Sequence, residues 1–303
     1  MPATATRPAV TTAPFRFADL YVVRTARLGA SMVRVTFAGD GLADLTSGGR
    51  DQRFKLFLPH PYQAAPVVPR GDDWFARWRA MDPTVRAVMR SYTVREQRRR
   101  PDELDVDFAL HGDTGPASRW AGRAVPGDRV TVLGPAVADN GGVDFRPPPG
   151  TDWVLLAGDE TALPAVAGIL AWLPAGTPAR AWVEVADPAD IRDLPTGADA
   201  AVTWLVRGTA GSPTLLAAIQ AAELPTGTPY AWVAGETATV RALRRHLVGD
   251  RGVDRARITF TGYWRRGASE EDLLVEALAA PAPAGPAPDD PAAGMQPDRE
   301  DAP

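Results

Sequence analysis

The sequence predicts two domains in series, a mainly β domain of antiparallel barrel type followed by an α/β domain built on a parallel sheet. Three observations carry that reading. At 303 residues and 45% hydrophobic composition the chain can bury two cores, since a single core stops growing at about 250 to 300 residues. Residues 15–146 present short apolar runs between turn signals, whereas residues 151–280 alternate apolar runs with helical segments. Between them stands Arg146-Pro147-Pro148-Pro149-Gly150, which suits neither a helix nor a central strand, so residues 147–150 read as a linker.

In the first domain the candidate strands are Leu20 to Leu28, Met32 to Ala38, Arg53 to Leu58, Arg90 to Arg95, Leu104 to Leu110 and Arg129 to Leu133. The fifth alternates most cleanly, with Leu104, Val106, Phe108 and Leu110 on one face and Asp105, Asp107 and Ala109 on the other. Strands in this number without crossover helices imply an antiparallel barrel. The Trp- and Arg-rich insert Trp74 to Met89 reads as a helical excursion. In the second domain the strands are Trp153 to Ala157, Ala179 to Val185, Ala201 to Val206, Tyr230 to Ala234 and Ile258 to Thr261. Helices are expected over Leu163 to Leu173, Pro213 to Ala222 and Thr237 to Val248. A last helix over Ser269 to Leu278 would start from a capping box of Ser269 and Asp272. The first 14 residues and residues 281–303, rich in Pro, Ala and either Thr or Asp, read as disordered. No internal repeat is present.

Thirty-three Lys and Arg against 37 Asp and Glu leave a net charge of −4, so nothing global attracts nucleic acid or a membrane surface. No apolar run long enough for a leader or a membrane helix opens the chain, and a cytoplasmic protein is expected. Cysteine is absent, which excludes disulfides, thiolate metal sites, a cysteine nucleophile and cysteine-ligated iron–sulfur clusters. The three histidines, His60, His111 and His246, form no metal-ligand or catalytic-triad pattern. If the protein moves electrons, a non-covalent cofactor must carry them.

Four motifs could carry chemistry. Arg90-Ser91-Tyr92-Thr93-Val94-Arg95 puts Arg90, Tyr92 and Val94 on one strand face and Ser91, Thr93 and Arg95 on the other. Such a mixture suits a flavin dinucleotide: a guanidinium for pyrophosphate, an aromatic ring for the flat ring system, a hydroxyl for a ring nitrogen. It equally suits a barrel strand whose arginines point to solvent. His111-Gly112-Asp113-Thr114-Gly115-Pro116-Ala117-Ser118-Arg119-Trp120 follows a strand and opens a helix, with Pro116 in the first turn. Its free N–H groups could hold a phosphate, or the motif could be an ordinary strand-to-helix turn.

Leu155 to Pro164 (LLAGDETALP) forms the first strand–helix junction of the second domain, and ligands of parallel sheets bind at the carboxyl ends of the strands. Only Gly158 is present, so this is not the glycine-rich dinucleotide fingerprint. Asp159 and Glu160 would repel a phosphate and are expected to orient the turn or to meet a nucleotide's sugar and carboxamide. Val233-Ala234-Gly235-Glu236-Thr237 repeats the order strand, glycine, acid, threonine at a later strand end. Thr261-Gly262-Tyr263-Trp264-Arg265-Arg266-Gly267 sets aromatics beside arginines after the last strand. These could cover a flat cofactor, bind an anion, or only pack the seam between domains.

In this order and separation, RSYTVR, HGDTGPASRWA, LLAGDETALPA, AWVAGE and GYWRRG resemble the siderophore-interacting protein family of FAD-dependent ferric-siderophore reductases, within the ferredoxin-reductase-like superfamily. The resemblance spans about Phe15 to Leu278. It implies an N-terminal Greek-key FAD barrel over 15–146 and a nicotinamide nucleotide domain over 151–280. It also implies that Arg90, Ser91, Tyr92, Thr93 and Arg95 hold FAD, with Thr93 near the reactive nitrogen and His111 at the ring. Gly115, Pro116, Ala117, Ser118 and Trp120 match the pyrophosphate and adenine side. Gly158, Asp159, Glu160, Thr161 and Ala162, with Gly235 and Glu236, would line the NADPH or NADH site, and Tyr263 and Trp264 would cover cofactor. Lys55, Arg265 and Arg266 are the candidates to receive the anionic ferric siderophore, although Lys55 also suits a solvent-facing barrel position. The Pro/Ala/Asp-rich tail departs from the family pattern.

The expected reaction passes hydride from NAD(P)H to flavin and then single electrons to Fe(III), with a ferric siderophore as the small-molecule partner, no nucleic acid or stable membrane partner, and a monomeric protein. A reductase serving a protein partner or free flavin, a siderophore carrier without redox turnover, and a reduced ferredoxin as donor are the competing readings.

Overall fold

A computed structural model describes residues 14–110, 115–268 and Glu276. The expectations for the extreme N-terminus, for His111 to Thr114, for most of the last helix and for the tail lie outside the described residues. Within them, the strand pattern of the first domain becomes one seven-stranded antiparallel sheet: β1 (Phe15–Arg27), β2 (Met32–Ala38), β3 (Arg53–Leu58), β4 (Val88–Thr93), β5 (Glu96–Arg98), β6 (Glu103–Ala109) and β7 (Arg129–Pro135), in the order β4-β3-β7-β1-β2-β6-β5. The sheet curls into a half-barrel. Its two edge strands are joined by consecutive residues, with Val94 N–H donating to Gln52 and Arg95 N–H to Asp105.

Alternation explains the curl. Leu104, Val106 and Phe108 of β6 point into the barrel with Phe37, Phe54, Leu56 and Val132, as a period of two requires. Asp105 and Asp107 point outward yet are also buried, because arginines cover them. Arg34 grips Asp107 at 2.7 and 2.9 Å, Arg98 grips Asp105 and Glu103, and Arg24 grips Glu103 at 2.6 and 2.7 Å. The Arg24 and Arg98 guanidiniums hold the Glu103 carboxyl down to about 2. A carboxyl depressed in the folded state stabilises above its unfolded value of 4.5 and loses that contribution as pH falls toward 2. Glu103→Gln is therefore expected to melt a few degrees below the parent at pH 7, with the gap closing by about pH 2. Parallel melting curves at pH 7, 4 and 2.5 check this, and a pH-independent gap would refute it.

The strand expected over Arg90 to Arg95 runs instead over Val88–Thr93, and β5 has no counterpart in the sequence reading. Two further differences have a plain cause. β1 begins at Phe15 because Phe15 to Tyr21 pair in full with Arg129 to Pro135, a pairing that no local pattern reveals. The helical excursion is only α1 (Trp74–Ala80). Pro83 stops its continuation, and Ala87 and Met89 instead close a small apolar cluster with Trp74, Trp78 and Phe57 on the outer face of the sheet. After β6 comes the short α2 (Pro116–Ala121), which caps the barrel mouth by stacking Trp120 on Phe37 and tilting it against Phe108.

The second sheet is parallel throughout: β8 (Trp153–Asp159), β9 (Pro178–Val185), β10 (Asp199–Val206), β11 (Pro229–Glu236) and β12 (Ile258–Trp264), in the order β10-β9-β8-β11-β12. Helix α3 (Leu163–Trp172) covers one face, while α4 (Leu215–Ala221) and α5 (Thr237–Arg245) cover the other. The strand order reverses between β8 and β11, which puts the binding crevice of such a sheet at their carboxyl ends. Among the described residues no helix is long and apolar enough to cross a membrane.

The two sheets share a buried joint. Asp51, before β3, accepts hydrogen bonds from Phe145 N–H and from the Trp232 indole of β11, and it is 1% exposed. Burial pushes its carboxyl up, with the neighbouring Asp144 charge acting the same way. Arg50 lies over the Trp172 ring of α3 at 4.9 Å.

Candidate functional site

The carboxyl ends of β8, β11 and β12 are tied together by one side chain. Asp159, the last residue of β8, accepts at Oδ1 from Thr161 N–H (2.9 Å) and at Oδ2 from Glu236 N–H (2.9 Å) and the Trp264 indole (2.8 Å). Burial raises its carboxyl above the usual range, with the Glu160 charge adding to the effect. Gly235 has φ +136, and a Cβ there would stand 2.6 Å from Asp159 Oδ2. Gly158 is needed for another reason: a Cβ on it would lie 2.5 Å from the Ala162 Cβ at the start of α3 and 2.7 Å from the Ala234 carbonyl. The repeated strand, glycine, acid, threonine order is thus the local chemistry of two strand ends packed side by side. Glu236 caps α5, its carboxylate accepting from Thr239 N–H at 2.9 Å.

Around this knot opens a cleft whose lining includes Asp159, Glu184, Arg207, Glu236, Trp264 and Arg266. Glu160 is 1% exposed and meets the cleft through Arg207, which it grips at 2.9 and 2.7 Å while Glu184 holds the Arg207 Nε at 2.8 Å. Both partners push the Arg207 guanidinium further toward its charged form. The sequence reading did not include Arg207 or Glu184. The available signal was position, because Arg207 directly follows β10 and Glu184 is the penultimate residue of β9.

The barrel contributes the facing wall. On β4 the Tyr92 ring packs on Phe108 at 4.4 Å, and Arg90 is half-buried on the same face. Ser91 and Thr93 point the other way. Lys55 pairs with Ser91 across β3 and β4 and donates to its hydroxyl at 2.8 Å. At 3% exposure Lys55 is not the solvent-facing lysine that was its alternative reading. Thr93 lies beside the Tyr263 hydroxyl of β12, whose phenol burial pushes well above its ordinary range. Tyr263 also meets the Trp232 ring edge-on at 6.4 Å. Three of the four predicted motifs, one of them with its repeat, therefore converge: β4 of the barrel lies against the end of β12, and β12 is tied through Trp264 and Asp159 to the ends of β8 and β11. Gly115 opens α2, whose Ala117 and Ser118 are buried beneath the same mouth. Arg265 stands apart from the cleft lining, in a two-pronged ion pair with Glu276 at 2.7 and 2.6 Å.

Comparison with known proteins bears on both halves. Residues 21–139 match the siderophore-interacting FAD-binding domain model, and residues 151–267 match the siderophore-interacting protein model. The chain belongs to the siderophore-interacting protein family. Among relatives of the family it is 32% identical to the ferric vibriobactin reductase ViuB of Vibrio cholerae over 82% of this chain and 89% of that one. It is 30% identical to the NADPH-dependent ferric-chelate reductase of Escherichia coli over 82% and 93%. Its fold superposes on a siderophore utilization protein from T. fusca with a TM-score of 0.73 at 38% identity, covering 84% and 95% of the two chains. The donor set fits the family's flavin dinucleotide: Arg90 and Arg95 offer guanidiniums, Tyr92 an aromatic face, Ser91 and Thr93 hydroxyls, and Gly115 leaves room for close approach at the start of α2.

Proposed function

We propose that this protein reduces ferric siderophores with electrons from NADPH or NADH carried through FAD, and so releases Fe(II). The observation that carries the reading is the buried hydrogen bond from the Trp232 indole of β11 to Asp51 just before β3, which sets the barrel's β3–β4 edge, with Thr93 beside Tyr263, against the parallel sheet. A flavin on one side and a nicotinamide on the other would share that wall. The chemistry FAD supplies when bound is the conversion of a hydride donor into one-electron steps to Fe(III). The chain's own residues do the rest. Arg90 and Arg95 neutralise the pyrophosphate, Tyr92 backs the ring, and Thr93, oriented by Tyr263, places a hydroxyl at its polar edge. The ends of β8 and β11, with Trp264, shape the nucleotide cleft, and Asp159 keeps those ends in register.

Lys55 and Arg266 are proposed to attract the anionic chelate, and Arg265 to add charge at the cleft rim. Reduction weakens the chelate because hard oxygen ligands prefer the more highly charged ion. The proposal places the protein in the cytoplasm, where NAD(P)H is held, as a monomer without stable membrane association.

Anaerobic absorbance of the purified protein tests this. Flavin bands should bleach with NADPH or NADH and return when a ferric siderophore is added, as a ferrous trap fills. A protein that purifies colourless and refuses added FAD would sink the reading. Arg90→Ala with Tyr92→Ala should release bound flavin, whereas Arg265→Ala with Arg266→Ala should keep flavin and slow chelate reduction by about tenfold. Flavin absorbance per mole of protein and the ferrous-trap rate separate the two outcomes.

A further inference from the structure

The connection between β9 and β10 leaves its own sheet and docks on the barrel. Asp190, 0% exposed, accepts from Ser31 N–H at 3.0 Å and from the Ser31 hydroxyl in the β1–β2 hairpin. Gly29 leaves room for it: a Cβ there would stand 2.3 Å from Asp190 Oδ1. Two residues on, Arg192 is pinned by donating Nε to the Asp190 carbonyl at 3.2 Å, and its Nη2 is buried without a partner. A guanidinium nitrogen removed from water with no acceptor is costly and calls for an explanation.

The neighbouring carboxylates do not provide one. Asp107 is taken on both oxygens by Arg34, and Asp190 on both by Ser31. Burial pushes the Arg192 guanidinium below its ordinary range; the Asp107 and Asp190 charges act against that, and the Arg34 and Arg95 charges add to it. With those carboxylates engaged elsewhere, Nη2 keeps a donor for an anion. Its place in the fold says which one: Arg95, whose charge reaches Arg192, closes the RSYTVR motif. Arg192 is therefore anchored beside a segment expected to handle phosphate.

We propose that Arg192, supplied by the nucleotide domain, binds the pyrophosphate of the flavin dinucleotide held by the barrel. This rests on the reading that Arg90, Arg95 and the α2 start hold FAD. A fork-shaped guanidinium matches phosphate oxygens and makes hydrogen bonds about twice as strong as neutral ones. Flavin affinity then depends on the docking of the β9–β10 connection as well as on the barrel.

The test compares FAD with riboflavin, which has the ring and no phosphate, binding to flavin-stripped protein, followed by quenching of flavin fluorescence. Arg192→Gln should weaken FAD about 10- to 100-fold and leave riboflavin within about twofold. Arg192→Lys, which keeps the charge and loses the fork, should fall between, and it decides the matter if the glutamine variant fails to fold. Unchanged FAD binding, or equal losses for FAD and riboflavin, would overturn the inference and leave Arg192 a structural residue. A loss confined to NADPH, with NADH and FAD unaffected in the flavin-loaded protein, would assign the site to the 2′-phosphate and overturn it as well. Parent protein that binds no FAD would instead fail the reading on which the inference rests.

Discussion

Arg207→Ala is expected to destabilise the protein by about 3 kcal/mol, because it takes both guanidinium branches away from a buried carboxylate. Glu160 is 1% exposed and receives both guanidinium branches of Arg207, and breaking a buried pair from one side costs about 3 to 5 kcal/mol. The lower figure applies because the Arg207 side chain is itself 36% exposed. For a domain of this size the melting temperature should fall by roughly 6 to 12 °C. The companion double variant Glu160→Gln with Arg207→Gln removes both charges, and it should recover most of the loss. Calorimetry of the three proteins checks this. If the double variant is as unstable as the single, the ion pair is not the origin of the effect. Arg207 also lines the cleft, so both variants should bind NADPH or NADH more weakly even where they are folded, a loss measured by the nucleotide concentration that half-saturates flavin reduction.

How much of this was legible in the sequence follows from what kind of interaction decides each feature. Strands β2 and β3 start and end where their apolar runs do, because each is a self-contained alternating segment bounded by turn residues. That the second sheet is parallel was implied by alternation of strands and helices, whereas its order β10-β9-β8-β11-β12 was not. The motif RSYTVR stood out because charge, ring and hydroxyls meet on one strand, yet by itself it suited a solvent-facing barrel strand equally. What sequence could not show is pairing across large separations. Arg207 reads as a polar residue after a strand until Glu160, 47 positions earlier, is seen beneath it. Arg192 reads as loop until Ser31, 159 positions from Asp190, fixes that loop to the barrel. Asp159 and Glu160 illustrate the same limit from the other side: adjacent acids were expected to orient the turn or meet the nucleotide, and only the fold shows one tying three strand ends and the other setting an arginine.

Asp51→Ala is expected to have the second large effect, and to show it in electron transfer as much as in stability. The carboxylate accepts from Phe145 N–H and from the Trp232 indole in a site closed to water, and a buried donor left without a partner costs about 1 to 3 kcal/mol. Two orphaned donors together imply a loss of roughly 2 to 5 kcal/mol. The consequence for function follows from position. Arg53, two residues along, is the β-sheet partner of Thr93, and Trp232 meets Tyr263, which lies beside Thr93. Asp51 thus fixes the β11–β12 side of the parallel sheet against the strand pair that carries Thr93. Loosening it should leave flavin bound, since Arg90, Tyr92 and α2 belong to the barrel and the β9–β10 connection keeps its own anchor on Ser31, while displacing the nicotinamide cleft from the flavin wall. A misplacement of about 1 Å can cost 100-fold in rate. Stopped-flow reduction of bound flavin by NADPH or NADH should therefore slow by roughly 10- to 100-fold in Asp51→Ala, with flavin content near that of the parent. Slow reduction accompanied by lost flavin would instead mean that Asp51 supports the barrel alone, and that the joint between the sheets is set elsewhere.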